Sequence, residues 1–359
     1  MQDKLDLRKN KLFRKDAKPL IISGPCSAES EEQVIETAKK LADSKVKIFR
    51  AGIWKPRTRP GTFEGLGSIA LPWLRRVKEE TGMLTAIEVA NVWHLKEALK
   101  YGVDMLWIGA RTTANPFAVQ ELADGLRGLD IPVFIKNPVN PDLELWIGAF
   151  ERLNKAGVKK LAAIHRGFSY YGPSPYRNIP QWEIPIELKR RIPDLPIITD
   201  PSHICGNKDL LFGISQTAMD LDFDGLFIES HYKPEAALSD KEQQIRPGEL
   251  KTLLAKLIYR KSEIDNTKHL EGLNDYRRQI DQWDTELIRV LRNRMSISEE
   301  IGKLKKKENI TILQTDRWSE ILENRLAQAR EMGMSEQFIV QIFKHIHQES
   351  ISFQNRVMN

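Results

Sequence analysis

Along the first 255 positions, short apolar runs alternate with longer segments whose apolar residues recur every three or four places. The runs are PLIIS (19–23), VKIFR (46–50), LTAIEV (84–89), MLWIG (105–109), PVFIK (132–136), KLAAIH (160–165), PIITD (196–200) and GLFIES (225–230). Each is apolar nearly throughout and bounded by turn residues, as a strand buried on both faces should be. The segments between them have helical spacing. SEEQVIETAKKLADS (30–44) opens on a serine followed by glutamates, which suits a helix N-terminus. Eight β/α units over about 240 residues predict an α/β fold of the (β/α)8 TIM-barrel type. A doubly wound parallel sheet is the alternative.

The pattern changes at about residue 256. No strand-like run follows, glycine becomes rare, and Pro247 is the last proline. Residues 266–307 read as one long helix with Ile280, Leu287, Leu291, Ile297 and Ile301 at helical spacings. Gly272 is its weak point, so a start just after it is also expected. Further helices are predicted over 314–331, stopping at Met332-Gly333, and over 335–357, opening on Ser335. Three helices of this size form an incomplete bundle with uncovered apolar faces, so this all-α domain is expected to form a homodimer. The predicted organisation is a barrel over 1–255, a linker over 256–272 and a three-helix domain over 273–359.

Composition narrows the function. The chain has 359 residues, 41% hydrophobic and 29% charged, enough for a packed core and against disorder. The opening MQDKLDLRKNKLFRKDAK is charged throughout, and no stretch has the length and apolarity of a membrane span. Two cysteines, Cys26 and Cys205, argue against a disulfide framework and for a reducing, cytoplasmic compartment. The net charge of +6 is scattered along the chain. That favours sites for small anions over nucleic-acid binding.

The reactive residue types gather where the predicted strands end. Cys26 follows the first strand in GPCSAES. Arg50 ends the second and runs into Lys55, Arg57 and Thr58. Glu88 lies in the third, Arg111 follows the fourth and Lys136 ends the fifth. His165 and Arg166 close the sixth, Asp200 and His203 the seventh, and Glu229 and His231 the eighth, with Asp240 beyond. A solvated loop charge is the ordinary reading of any one of them, but it does not explain a reactive residue at every strand end. In a (β/α)8 barrel those ends converge on one mouth. Cys26, His203, Glu229 and Asp240 combine a thiolate, an imidazole and two carboxylates. That set suits a first-row divalent metal (manganese, iron, cobalt or zinc) and is too soft for magnesium. Arg50, Lys55, Arg111, Lys136 and Arg166 are too many cations for one carboxylate, and call for a substrate with several negative charges.

GPCSAES, KPRTRPGTFEG, GAR, KNP, HRG, DPSH and ESHYKPEAALSD, in that order over residues 18–250, resemble the motifs of 3-deoxy-D-arabino-heptulosonate 7-phosphate synthase. A sister family that makes an eight-carbon sugar phosphate has Lys-Ala-Asn where this chain has Lys55-Pro56-Arg57-Thr58. The resemblance implies phosphoenolpyruvate on Arg50, Lys55, Arg111, Lys136 and Arg166, and the phosphate of erythrose 4-phosphate on Arg57 and Thr58. It implies a divalent metal, manganese foremost, on Cys26, His203, Glu229 and Asp240. Lys55 and Glu88 are the expected catalytic side chains, with Glu88 or Asp200 either handling the proton of the attacking water or orienting neighbouring bases.

In the helical region, Arg294 and Lys305 share a face of the long helix about 17 Å apart, while Arg277 lies roughly 26 Å upstream of Arg294. One small ligand cannot reach all three on one straight helix, so an antiparallel second copy with shared sites is expected. Ser350 and Gln354 share a face of the third helix. YRRQIDQWDTELIRVLRNRMSISEEIGKLK and the residues to about 357 resemble the all-helical chorismate mutases. The resemblance implies that Arg277, Arg294, Lys305, Arg317, Ser350 and Gln354 bind chorismate, with Lys305 and Gln354 as catalytic donors to its ether oxygen. Two positions depart. The family's Glu after the second-helix arginine, which contacts the substrate hydroxyl, is Trp318 here, and an Asp three before that arginine is Gln314. Glu320 or Asp316 are the expected substitutes. The expected protein is a bifunctional enzyme. In the alternative only the barrel is catalytic, and the helical domain senses prephenate or chorismate and dimerises.

Overall fold

The structure, a computed structural model, describes residues 5–7, 19–57, 61–260, 267–313 and 315–358. Thr58, Gln314, residues 261–266 of the expected linker and most of the N-terminal segment lie outside the described residues, as does the side chain of Asp316. The chain divides into two compact units, Met1–Ser262 and Glu263–Asn359.

The first unit contains β1 (Leu20–Gly24), β2 (Ile48–Arg50), β3 (Leu84–Val89), β4 (Met105–Ile108), β5 (Val133–Lys136), β6 (Leu161–His165), β7 (Ile197–Thr199) and β8 (Gly225–Glu229). All pair in parallel in chain order, and β1 pairs with β8 from Leu20–Gly225 to Gly24–Glu229, closing the barrel. Closure rules out the open doubly wound sheet. Around the strands run α1 (Glu31–Ala42), α2 (Leu71–Thr81), α3 (Val92–Lys100), α4 (Ala110–Thr113), α5 (Pro116–Gly125), α6 (Leu143–Lys155), α7 (Glu183–Arg191), α8 (Pro201–Cys205), α9 (Leu211–Asp220) and α10 (Pro247–Lys256). Ser30 caps α1 by accepting from the Gln33 amide, the role its place before the glutamates predicts.

The continuous apolarity of the strands has its cause in two cores. Ile22, Ile48, Met105, Trp107, Phe134, Ile164, Ile198 and Phe227 are among the side chains that fill the barrel interior. Residues of the opposite parity, such as Ile21, Phe49, Leu106, Ile135 and Ile228, pack against the helices. Strand ends differ from the sequence reading by one or two residues. Pro132 and Pro196 stay outside because they have no N–H for the ladder. Asp200 leaves β7 to cap α8, accepting from the His203 amide.

The second unit has α11 (Thr267–Lys307), α12 (Thr315–Glu331) and α13 (Glu336–Met358). Helix α11 takes in residues 267–272, which the sequence reading assigns to the linker, and runs straight through Gly272. One glycine costs a helix about 1 kcal/mol relative to alanine, little against 41 residues of helix. Helix α11 packs along α13, and α12 returns onto α13. Among the described residues, no helix is long and apolar enough to cross a membrane.

Candidate active sites

At the barrel mouth, Arg50 and Glu229 close neighbouring regions of the sheet and meet as a fully buried ion pair, Nη1 to Oε1 2.6 Å. The guanidinium lies 5.0 Å from the Trp107 ring centre and 4.9 Å from that of Phe227. Gln243 donates to the other Glu229 oxygen at 2.7 Å. Burial alone would raise the Glu229 pKa; His203, Arg50 and Lys55 outweigh it and bring the carboxyl down to about 2.

The four residues expected to bind metal come together in two contacts. Cys26 Sγ is 3.2 Å from Asp240 Oδ2, and His203 Nε2 is 3.9 Å from Glu229 Oε1. Asp240 is held in the left-handed region at φ 45° and ψ 41°, a costly conformation for a residue with a side chain. Arg177 binds its Oδ1 at 3.0 Å, and Arg57 lies 3.7 Å from its Oδ2. His203 Nδ1 is 2.8 Å from Asp200 Oδ2, which turns Nε2 toward Glu229. A carboxylate behind a histidine in this way fixes the tautomer a metal needs.

The donor chemistry therefore fits a divalent cation: an oriented imidazole, two carboxylates held below their ordinary range and a thiol. The thiol is the exception in protonation. Burial, then Glu229, push Cys26 up to about 12, so it sheds its proton only to a cation. Lys55 Nζ stands against it, 2.9 Å from Sγ and 2.8 Å from the Cys26 carbonyl oxygen. Among the described residues, no three His, Cys, Asp or Glu side chains are drawn onto one point as a finished ion site.

The cations expected to bind phosphoenolpyruvate are interleaved with this acidic set. Arg50 ends on Glu229, Lys55 on Cys26, and Lys136 on Asp200 at 2.8 Å. Arg166 donates to Asn178 Oδ1 at 2.7 Å, and its own amide donates to Asn137 Oδ1 at 2.7 Å. Burial, with Arg177 and Arg111 nearby, lowers Arg166 to about 10, still charged at neutral pH. Glu88 accepts from Trp107 Nε1 at 3.0 Å. Gly109 makes that position possible, because a Cβ there would lie 2.1 Å from Glu88 Oε1. Arg50, Lys55, Arg57, Arg111, Lys136, Arg166 and Arg177 outnumber the carboxylates Glu88, Asp200, Glu229 and Asp240. That surplus matches a polyanionic substrate. Asp200 is driven far below the carboxylate range by His203 and Lys136 against its burial, so it orients them and is a poor base at neutral pH. Arg177 and Gln243 belong to the site, and sequence reasoning missed both. Arg177 sits in a loop and Gln243 in a three-residue 3-10 turn, Lys241–Gln243, where no periodicity marks them.

In the helical unit, packing of α11 on α13 brings together Arg294, Ser350 and Gln354. Arg294 Nη1 donates to Ser350 Oγ. Gly302 lets the two helices approach, since a Cβ there would meet Gln354 Cα at 2.9 Å and Val357 at 2.5 Å. Lys305, one turn further along α11, is buried and donates to the Ile312 carbonyl at 2.6 Å. Gln354 is buried with no hydrogen-bond partner for its Oε1. A cavity of about 490 Å³ opens where Arg294 faces α12 and α13, lined also by Arg317, Ile321, Arg325 and Phe343. Glu320 binds Arg317 at 2.6 Å. Arg277 is exposed near the start of α11, with Asn274 3.2 Å away, and does not join the others.

A closed barrel of eight parallel strands with its charged residues at the C-terminal strand ends is an enzyme of the (β/α)8 class. The chain belongs to the DAHP synthetase I family, whose model matches residues 4–266. A second family, chorismate mutase type II, matches residues 276–355. Over 225 residues the chain is 33% identical to the phospho-2-dehydro-3-deoxyheptonate aldolase of Thermotoga maritima, covering 63% of this chain and 64% of that one. It thus spans just under two thirds of that relative's length. Identity to the 2-dehydro-3-deoxyphosphooctonate aldolase of Desulfotalea psychrophila is 26% over 260 residues, 67% of this chain and 88% of that protein. The crystal structure of the Thermotoga maritima DAHP synthase superposes with a TM-score of 0.60 at 31% identity, covering 67% of this chain and 70% of that one.

Proposed function

We propose that the barrel condenses phosphoenolpyruvate with erythrose 4-phosphate and water, giving 3-deoxy-D-arabino-heptulosonate 7-phosphate and inorganic phosphate, and that the helical unit rearranges chorismate to prephenate. The interleaving of cations with the thiol, imidazole and carboxylates carries the first assignment, above all Lys55 at 2.9 Å from Cys26 and the chain Lys136–Asp200–His203. Arg111, Lys136 and Arg166 hold the phosphate and carboxylate of phosphoenolpyruvate, with Arg50 behind them. Arg57 and Thr58 receive the phosphate of the aldose. Cys26, His203, Glu229 and Asp240 hold a divalent metal, manganese first among manganese, iron, cobalt and zinc, which supplies Lewis acidity at the aldehyde oxygen. Lys55 Nζ donates to that oxygen as the enol carbon attacks. Glu88 orients the water that adds at carbon 2 before phosphate leaves. The decisive assay is phosphate release from phosphoenolpyruvate by the purified full chain with erythrose 4-phosphate or arabinose 5-phosphate. Faster turnover of arabinose 5-phosphate overturns the assignment.

In the helical unit, Arg294, Arg317 and Ser350 clamp the carboxylates of chorismate. Lys305 and Gln354 donate to the ether oxygen as it gains charge. Gln354 is buried beside Gly302 on the face of α13 that carries Ser350. Arg277 comes from a second copy. Tyr276, Ile280, Trp283, Leu287, Ile288, Ile297 and Ile301 of α11 are exposed in the single chain, and a dimer covers them. Trp318, in place of the expected glutamate, favours a second reading in which the unit binds such ligands without turnover. We place the barrel domain before and the mutase domain after a linker that starts beyond α10 at Lys256 and ends by Thr267, where α11 begins, shorter than the expected 256–272. The free, buried Cys26 and Cys205 fit a cytoplasmic enzyme. Chorismate turnover by the full chain, read with a sedimentation measurement of its mass, tests activity and dimer together.

A further inference from the structure

The departure at Trp318 leaves the mutase site without its usual partner for the substrate's ring hydroxyl. Glu320, the candidate substitute whose side chain is described, is committed to Arg317 at 2.6 Å. Indole has no acceptor atom and cannot itself replace a carboxylate. What the indole does is hold another ring. The centroids of Trp318 and His347 are 4.2 Å apart and their planes are inclined by only 18°. The stack ties α12 to α13 at the residue directly after Arg317.

His347 lies three residues before Ser350 and seven before Gln354, so all three share one face of α13. Ser350 is bonded to Arg294, and Gln354 sits against Gly302. The imidazole is half-buried. Burial, then Arg294 and Lys305, hold it below the ordinary histidine range, so it is neutral at pH 7. Those two cations are the ones assigned to the carboxylates and the ether oxygen, which places the ring among the groups that surround the ligand. A neutral imidazole offers one donor and one acceptor. Among the described residues neither nitrogen has a hydrogen-bond partner; the ring is held by its stacked face.

We propose that His347 binds the ring hydroxyl of chorismate, taking over the contact that a glutamate at position 318 makes in the family, with Trp318 as the platform that fixes the plane of its ring. The assignment rests on the mutase reading. It suits the charge of the site: Arg294, Lys305 and Arg317 already answer a dianion, and an uncharged hydroxyl can be met by a neutral imidazole, which offers an acceptor for its O–H and a donor for its oxygen. It also gives the Trp318–His347 stack a role, since Trp318 alone would close the site with a surface unable to accept a hydrogen bond.

The test uses the full-length dimer, chorismate and an analogue with hydrogen in place of the ring hydroxyl. Both are measured for kcat/KM and, by calorimetry, for binding. Wild type is compared with His347→Phe, which keeps a stacking ring and removes both nitrogens, and with His347→Gln, which keeps a donor and an acceptor. The expected result is a loss of about 10-fold for chorismate in His347→Phe, a loss under about 2-fold for the analogue, and recovery of most of the chorismate value in His347→Gln. Equal losses for both ligands in His347→Phe would make the residue a packing element and overturn the proposal, as would an unchanged chorismate value. Should His347→Phe not fold, His347→Leu takes its place, and equal losses for both ligands in that variant overturn the proposal in the same way. A wild type that binds chorismate without rearranging it breaks the mutase reading alone, because the calorimetric comparison still reads the hydroxyl contact.

Discussion

The barrel and the helical unit both gather cations for anionic ligands, but they finish their sites differently. In the barrel each buried cation already ends on a group of the same chain: Arg50 on Glu229, Lys136 on Asp200, Lys55 on Cys26. Eight strands closing on themselves bring residues up to about 200 positions apart to one mouth, such as Cys26 and Asp240. In the helical unit, Arg277 and Arg294 sit on one rigid rod about 26 Å apart. No bending of that chain closes the gap, and α11 leaves a row of apolar side chains uncovered. A closed sheet completes its site by topology. In the proposed reading the three-helix unit borrows Arg277 from another copy of itself.

Four measurements press on that contrast. The largest expected effect separates the two chemistries. A chelator should abolish the condensation, with manganese or cobalt restoring it, and leave chorismate turnover unchanged. Cys26→Ser should share the defect, because serine replaces the one donor whose thiolate a soft cation draws out. Condensation at the full rate in that variant removes Cys26 from the metal set. Next comes Lys305→Ala, which should cost the mutase about 10²-fold or more in kcat by removing a buried donor to a developing oxyanion. The condensation should be untouched. An unaltered mutase rate would move the reacting atoms away from Lys305.

The third measurement asks whether the helical site is borrowed. Subunits carrying Arg277→Ala and subunits carrying Lys305→Ala should each be inactive as mutases. When they exchange in equal amounts, half the dimers are mixed, and each mixed dimer has one site with both residues intact. Recovery should approach roughly a quarter of wild-type activity. Verified mixed dimers with no activity would show that one chain builds the whole site.

The same contrast governs what could be read in advance. Strands buried on both faces are apolar without interruption, so the eight runs stand out in the sequence. Barrel geometry then sends their ends to one place, so Arg50, Lys136, His203 and Glu229 could be grouped before any coordinates. Arg177 and Gln243 escaped because they lie in a loop and a short 3-10 turn, where neither spacing nor propensity says which side chain turns inward. His347, Ser350 and Gln354 share a face of α13, but only the packing of Trp318 singles out the first of them. Gly302, a contact point for Gln354, carries no signal in the helical spacing.

The smallest expected effect distinguishes the units by acid. His165 is fully buried at the end of β6, and its Nε2 donates to the Pro180 carbonyl at 2.6 Å. Its Nδ1 has no partner, so protonation there would bury an unpaired charge near Arg166. Burial accordingly lowers this histidine from 6.5 to about 4. The folded barrel thus binds fewer protons than the unfolded chain between those pH values, and stability must fall as pH drops through this window. One pKa unit corresponds to about 1.4 kcal/mol, which makes about 3.5 kcal/mol an upper bound for this residue. The loss should be full near pH 4 and absent above about pH 7. Urea unfolding of the full chain, followed by a signal from the buried Trp107 and Trp146, should therefore show a midpoint that declines from pH 7 to pH 4. His165→Gln keeps an amide donor for the Pro180 carbonyl and has nothing to titrate. It should flatten most of that decline while lowering stability at pH 7. A decline as steep in His165→Gln as in wild type would assign the acid sensitivity to other groups.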